Sequence, residues 1–369
     1  MVRNAGCQCR VSLIEGCWLL AVLLVLPSCG GGSSSAPALD TTPPLLIAPP
    51  NLIAVQPTGY RTQVDLGMPT VSDSSPVTIT SSAPRDGFIV GERTLVVWSA
   101  RDVYGNTSTD FQWVEIDPSP LYLPMHCAKW DGHGTAVGVA VLNNVWGIEA
   151  STTIGSQCVD IQNGSNGATV AHLDWDWPHQ ANVAAYPELI FGQKPGYLST
   201  TPDLPRPLDT LQQASVAFDV QSSAQGRANL AFDLWLTSMP TPATYAAPEI
   251  MHEVMVWLDS YGMTPLSDFP APIANVAIGG QIFDLYLGTF PFGVDAAGNL
   301  VGGWSVITYV SQTPIAGANT LDLLAFLNDA RQRQLIVQPG LYLGSIEFGN
   351  EVVGGSGETL VYRFAPVVR

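Results

Sequence analysis

Strict two-residue alternation constrains this chain more than any other feature. In Met251–Leu258 an extended strand places His252, Val254, Val256 and Leu258 on one face and Met251, Glu253, Met255 and Trp257 on the other. Asn229–Leu236 repeats the pattern, with Leu230, Phe232, Leu234 and Leu236 opposite Asn229, Ala231, Asp233 and Trp235. One face of each strand belongs in a sheet core, while the other carries a single carboxylate beside an indole. A carboxylate among apolar neighbours costs stability unless it is paired, solvated or used. Glu253 is therefore a candidate for chemistry. If the two strands pair, Asp233 and Glu253 approach, and one of them has to hold a proton. The alternative for Asp233 is plain solvation.

The rest of the chain agrees with a sheet protein. Only 12% of its 369 residues are charged, and 35 glycines and 29 prolines supply turns, which favours all-β architecture over bundles or disorder. One stretch reads as a helix. Leu321, Leu324, Phe326, Leu327 and Ala330 recur at helical spacing, with Asn319 or Thr320 as cap and Arg331 and Arg333 near the end, giving a brace packed on a sheet. A further strand spans about 341–353, with Tyr342, Ile346, Phe348 and Val352 facing a core and Ser345, Glu347, Gly349 and Glu351 opposite. Gly354-Gly355-Ser356-Gly357 reads as a flexible turn before a closing strand, Thr359–Phe364. The formal charge of −17 argues against nucleic acid and anionic membrane surfaces as partners.

Residues 1–28 have a basic start, an apolar run from Cys17 to Leu26 and then Leu26-Pro27-Ser28-Cys29. That tetrapeptide resembles a bacterial lipobox, which implies lipidation of Cys29 and export to the outer membrane or cell surface; cleavage within Ser33–Ala36 and secretion is the other route. Residues 29–40 read as a flexible tether. In 41–117, short apolar runs at turn-like spacing predict a small immunoglobulin-like β-sandwich, with Trp98 and Trp113 in its core and a hairpin turn at Asp102–Asn106. Val96-Val97-Trp98-Ser99-Ala100-Arg101-Asp102 and Gly105-Asn106-Thr107 are similar to the closing hairpin of the hyalin repeat, an adhesive or spacer module. Residues 118–126 read as a linker and 127–369 as the larger domain. Cys127 and Cys158 are the pair left for a disulfide in an exported chain; closing their loop contributes about 3–4 kcal/mol in the chain-entropy model.

Three strands thus set acids opposite a core, interleaved with indoles and amides, as glycoside hydrolysis requires: one carboxylate to attack the anomeric carbon, one to protonate the leaving oxygen, and rings to stack on sugars. Several motifs in 127–367 resemble glycoside hydrolase family 12, the jelly-roll endoglucanases and xyloglucanases. They are Cys127-Ala128-Lys129-Trp130, Asn143-Asn144-Val145-Trp146-Gly147, Ala185-Tyr186-Pro187, Phe232-Asp233-Leu234-Trp235, Glu253-Val254-Met255-Val256-Trp257-Leu258 and Gly349-Asn350-Glu351. The resemblance implies a jelly-roll sandwich with a concave cleft and hydrolysis of internal β-1,4-glucan bonds with retention. It implies Glu253 as nucleophile, Glu351 as acid/base with its pKa raised by the Glu253 charge, and Asp233 as the acid supporting the nucleophile. Asn144, Trp146, Tyr186, Trp235, Met255, Trp257 and Glu347 are expected to bind substrate. Val352 and Val353 stand where the family commonly has Pro and an aromatic, which bears on substrate preference. No metal or other cofactor is needed, and the sequence offers no His/Cys cluster suited to one. A monomer is expected, with a β-glucan as partner and membrane contact only through Cys29. The competing readings are a non-catalytic jelly-roll sugar binder and a surface adhesin.

Overall fold

The computed structural model describes residues 39–59, 61–148, 155–164, 167–243, 249–294 and 300–369. The expected signal peptide, Cys29 and nearly all of the tether lie outside the described residues.

The N-terminal part is built from Leu45–Ile47 (β1), Leu52–Val55 (β2), Arg61–Thr62 (β3), Thr70–Ser72 (β4), Val77–Ser81 (β5), Phe88–Ile89 (β6), Arg93–Asp102 (β7) and Thr107–Ile116 (β8). A four-stranded sheet runs β2-β8-β7-β5, flanked by the pairs β1-β4 and β3-β6. Its own core gathers Leu46, Phe88, Val90, Val96, Trp98, Ala100, Val114 and Ile116. The Trp98 indole donates to Gln112 Oε1 at 3.1 Å, and Gln112 donates on to the Pro50 and Leu66 carbonyls, so this buried amide is paired at both ends. Asp102 Oδ1 accepts from the backbone of Tyr104 and Asn106, which closes the hairpin as its sequence predicts. Trp113 departs from expectation. It is only half-buried, with the Arg93 guanidinium 4.7 Å above its ring.

The larger part begins beyond a single 3₁₀ turn at Pro120–Tyr122. Its strands are Gly132–Gly134 (β9), Ala140–Leu142 (β10), Ser156–Asn163 (β11), Thr169–Trp177 (β12), Glu188–Gly192 (β13), Arg206–Pro207 (β14), Ala214–Thr237 (β15) and Ile250–Tyr261 (β16). Ala274–Ile278 (β17), Gln281–Val294 (β18), Leu300–Ser311 (β19), Gly317–Asp322 (β20), Tyr342–Gly349 (β21) and Val352–Val368 (β22) complete it among the described residues, with the α-helix Leu323–Gln332 (α1). Cys127 and Cys158 are bonded, and His126 pairs with Val159 in a β-bridge beside them.

The 24-residue strand β15 organises this part. Its first half pairs with β20 and β22, its second half with β16 and β21. Fully extended, the fourteen residue steps from Phe218 to Phe232 would span about 47 Å. Their rings lie 5.7 Å apart, so the strand doubles back across the core. Glycine makes that bend possible. Gly226 (φ 125°) faces Gly355 (φ 100°), and a Cβ on Gly226 would stand 2.4 Å from the Gly354 carbonyl. Gly354–Gly357 is accordingly not a turn but part of β22, paired on both sides, and a Cβ on Gly357 would strike the Trp175 ring at 2.2 Å.

The main core is where the even faces meet: Val216, Phe218 and Val220, then Leu230, Phe232, Leu234, Val254, Val256, Leu258, Phe348 and Phe364. The helix braces it as expected, burying Leu323, Phe326, Leu327 and Ala330. Its cap, however, is Asp322, whose carboxylate accepts from Ala325 N; Asn319 and Thr320 belong to β20. Pairing of Thr320 with Ala217 on β15 takes those residues into the sheet ladder before the helix starts. No helix among the described residues is long and apolar enough to cross a membrane.

Candidate active site

The strands β15 and β16 pair antiparallel, with Asp233 opposite Met255 and Trp235 opposite Glu253. Odd positions of both strands therefore share the face away from the main core. On it Ala231, Trp235, Ile250, Met255, Trp257, Trp304 and Val306 form a second apolar cluster. Glu253 lies at its edge and is 9% exposed. Its Oε2 accepts the Trp304 indole N–H at 2.7 Å. Burial, then the charge of Glu351, push its pKa up to about 8 against the opposing effect of that hydrogen bond.

Glu351 follows β21, in the two-residue break before β22. Asn350 staples the break: its side chain donates to the Asn229 carbonyl at 2.7 Å and accepts from Thr359 Oγ1 at 2.7 Å. Asn229 clamps Glu351 from both sides, donating to Oε2 at 2.5 Å and accepting from the Glu351 backbone N–H at 2.8 Å. Burial carries the Glu351 pKa up to about 7, with the Asn229 hydrogen bond opposing it. The leading cause is thus desolvation rather than the charge of Glu253 that the sequence suggested. Some of the side chain still reaches solvent.

Asp233 is buried, and its Oδ1 has no hydrogen-bond partner among the described residues. Burial first, then Glu253 and Glu351, hold its pKa well above the usual carboxylate range. Three carboxyls, from β15, from β16 and from the break between β21 and β22, feel one another on one face. They cannot all ionise, so the group holds both a proton to give and a carboxylate to attack with.

The residues expected to touch substrate divide sharply. Trp146 is 49% exposed and presents a ring to solvent. Asn144 is buried, and its amide donates to Glu188 Oε1 at 2.7 Å. Tyr186 is buried beneath the site, its hydroxyl 3.5 Å from the Ala231 carbonyl. Trp235 and Met255 pack in the apolar cluster. Two placements correct the sequence reading. Trp257 is 1% exposed, so it is packing beneath the face and not a platform for a sugar. Glu347 is 0% exposed and has no surface to offer. It lies beneath the site, paired with Lys194 Nζ at 2.7 Å and accepting from Ser345 Oγ at 3.0 Å. Val352, one of the two departures from the family motif, is packed against Trp175 and Ala228.

Trp304, Asn229, Glu188 and Lys194 escaped the sequence reading of the site. Glu188 follows directly on Tyr186-Pro187, and Lys194 is one of two lysines in a strongly acidic chain, so both left a trace. Asn143, by contrast, is structural. Its amide donates to the Ala128 and Gln157 carbonyls, tying the segment around Cys127 to β11.

Similarity to known proteins extends over most of the larger part. The chain is 27% identical over 240 residues to the xyloglucan-specific endo-beta-1,4-glucanase A of Emericella nidulans, covering 63% of this chain and 86% of that protein. An endoglucanase from Rhodothermus marinus superposes with a TM-score of 0.53 at 26% identity, over 67% of this chain and 99% of that one. A family 12 xyloglucanase from Bacillus licheniformis shares the fold, with a TM-score of 0.56 at 24% identity over 67% of this chain and 100% of that one. The sequence model of glycosyl hydrolase family 12 matches residues 137–366, and the chain belongs to that family.

Proposed function

We propose that this chain is a retaining endo-β-1,4-glucanase acting on cellulose-type β-glucans, with xyloglucan as the substrate to test first. The observation that carries the mechanism is the convergence of Asp233, Glu253 and Glu351 on one face, all with raised pKa. The Emericella relative, named as xyloglucan-specific, supports the substrate choice. Protonated Glu351 gives its proton to the glycosidic oxygen as Glu253 attacks the anomeric carbon and forms a glycosyl ester. Glu351, now ionised, takes a proton from the water that attacks the same carbon, and Glu253 leaves as carboxylate. Asp233, its pKa raised by burial and by the two acids, supports the nucleophile from the neighbouring strand. Trp146 stacks on a sugar ring of the bound chain, and Asn144, Tyr186, Trp235 and Met255 shape the floor under it.

Export fits the Cys127–Cys158 disulfide. In this reading residues 1–28 are a lipoprotein signal peptide, 29–40 a tether from a lipidated Cys29, and 41–117 a hyalin-type spacer that holds a monomeric catalytic domain, 127–369, off the membrane.

Reducing-sugar release from carboxymethylcellulose, barley β-glucan and xyloglucan tests the function, with the anomer of the first product followed by NMR. Release with retained configuration, abolished in Glu253→Gln, is expected. A fully active Glu253→Gln removes the nucleophile assignment, and no release from any β-glucan favours a non-catalytic sugar binder.

A further inference from the structure

Beneath the carboxylate cluster lies a buried triad that the mechanism above does not use. Lys194 Nζ stands 2.9 Å from Glu188 Oε1 and 2.7 Å from Glu347 Oε2, and all three residues are buried. Glu188 sits on β13 and Glu347 on β21, whose pairing sets Glu188 opposite Gly349, two residues before Glu351. On its other side Glu347 is directly opposite Asp233 on β15. One ammonium therefore serves a block of five buried or half-buried carboxyls: Glu188, Asp233, Glu253, Glu347 and Glu351. Among the described residues, the Tyr186 hydroxyl also faces them, its pKa raised by burial and by Asp233, Glu188, Glu347 and Glu351.

We propose that Lys194 is a positioning residue of the active site: its ammonium holds Glu188 and Glu347 together beneath the cleft and sets the net charge against which Glu253 and Glu351 work. The proposal rests on the catalytic reading given above. A buried cation with two carboxylates is costly to assemble and is weak evidence of stability in itself. Here its internal charge balance is informative. Burial would raise Glu347, but Lys194 and the hydrogen bonds from Glu188 and Ser345 hold its carboxyl below the usual range. Burial and the charge of Glu347 raise Glu188 far above it despite Lys194. The two carboxyls are thus pushed in opposite directions around one ammonium that pairs with both. Glu347 raises Glu253 and Lys194 lowers it, so removing Lys194 leaves the effect of Glu347 on the nucleophile unopposed by that cation. The same Glu188 also accepts from Asn144, two residues before exposed Trp146, so the triad anchors the base of that loop too.

The test compares pH profiles of kcat/KM on xyloglucan for the wild type, Lys194→Met, Lys194→Arg and the double variant Lys194→Met/Glu347→Gln, with circular dichroism melting curves for each. Without the cation the acidic limb, set by the first ionisation of the coupled Glu253–Glu351 pair, is expected to move up by about one pH unit, an approximately tenfold loss on the acid side. Lys194→Arg keeps the charge and the wild-type limb, and the double variant, which removes both charges, returns towards it. Should Lys194→Met fail to fold, Lys194→Gln removes the charge, keeps an N–H donor on a side chain one atom shorter and carries the same comparison. A folded neutral variant with an unmoved limb overturns the proposal, as does a double variant shifted as far as the single one. Glu253→Gln is run alongside: if it is inactive while the limb stays put, Lys194 alone is misassigned, whereas an active Glu253→Gln sinks the catalytic reading beneath it.

Discussion

The indole of Trp304 donates to Glu253 Oε2 at 2.7 Å from β19, the parallel neighbour of β16. The same ring stacks on Phe290 at 4.7 Å, which holds it in place. A donor to the charged form of a carboxylate favours that form, so this bond opposes the burial that raises Glu253. Trp304→Phe keeps the stack and removes the donor. Its acidic limb of kcat/KM is expected to move to higher pH, with about tenfold lower activity near the limb. A limb that stays or moves down would show that the indole does not tune Glu253.

Asn229 acts on the other carboxylate. Its amide donor favours ionised Glu351, so Asn229→Ala raises the pKa of the acid further above about 7. The alkaline limb of kcat/KM should therefore extend to higher pH, while the maximum falls about 100-fold because the carboxyl loses its clamp. A pH–rate series separates the two effects.

Burial and the neighbouring acids favour the protonated form of Asp233, and an asparagine amide is close in shape to a protonated carboxyl. Asp233→Asn is expected to keep activity within about tenfold of wild type, and Asp233→Ala to lose about 100-fold, since it leaves a void and no donor. Equal losses in the two variants would mean that ionised Asp233 is the form that matters.

Glu253 also ties activity to stability. Its pKa rises from 4.5 to about 8 on folding, so the fold prefers the protonated form. The stability this group confers is complete below its unfolded pKa and is lost as pH climbs through about 8. Glu253→Gln removes that dependence. At pH 4 the variant should melt with the wild type, and above pH 8 it should be more stable by about 1–3 kcal/mol. Urea denaturation at the two pH values measures the difference.

Phe232 is the centre of the folded-back core, with ring centroids at 5.7 Å to Phe218, 4.5 Å to Phe348 and 6.5 Å to Phe364. Phe232→Ala should cost about 3–5 kcal/mol in urea denaturation. A loss under about 1 kcal/mol would mean that the two halves of β15 do not share one core.

Much of this protein could be read from its sequence because alternation is a local property. A period of two assigns Val254, Val256 and Leu258 to one face and Glu253 to the other whatever else packs nearby, and the structure keeps that division. The hairpin at Asp102–Asn106 and the Cys127–Cys158 bond were likewise readable from short-range chemistry and from counting cysteines. Tertiary structure decided the rest. Facing away from the core does not mean facing solvent: the second cluster covers Trp257, and Lys194 arrives from another loop to neutralise Glu347, so neither meets a sugar. The bend at Gly226, the cap at Asp322 and the placing of Gly354–Gly357 within β22 each depend on a strand brought in from far along the chain. Periodicity says which way a side chain points; only the assembled layers determine what it meets there, and hence whether a carboxyl is solvated, paired or left with a raised pKa.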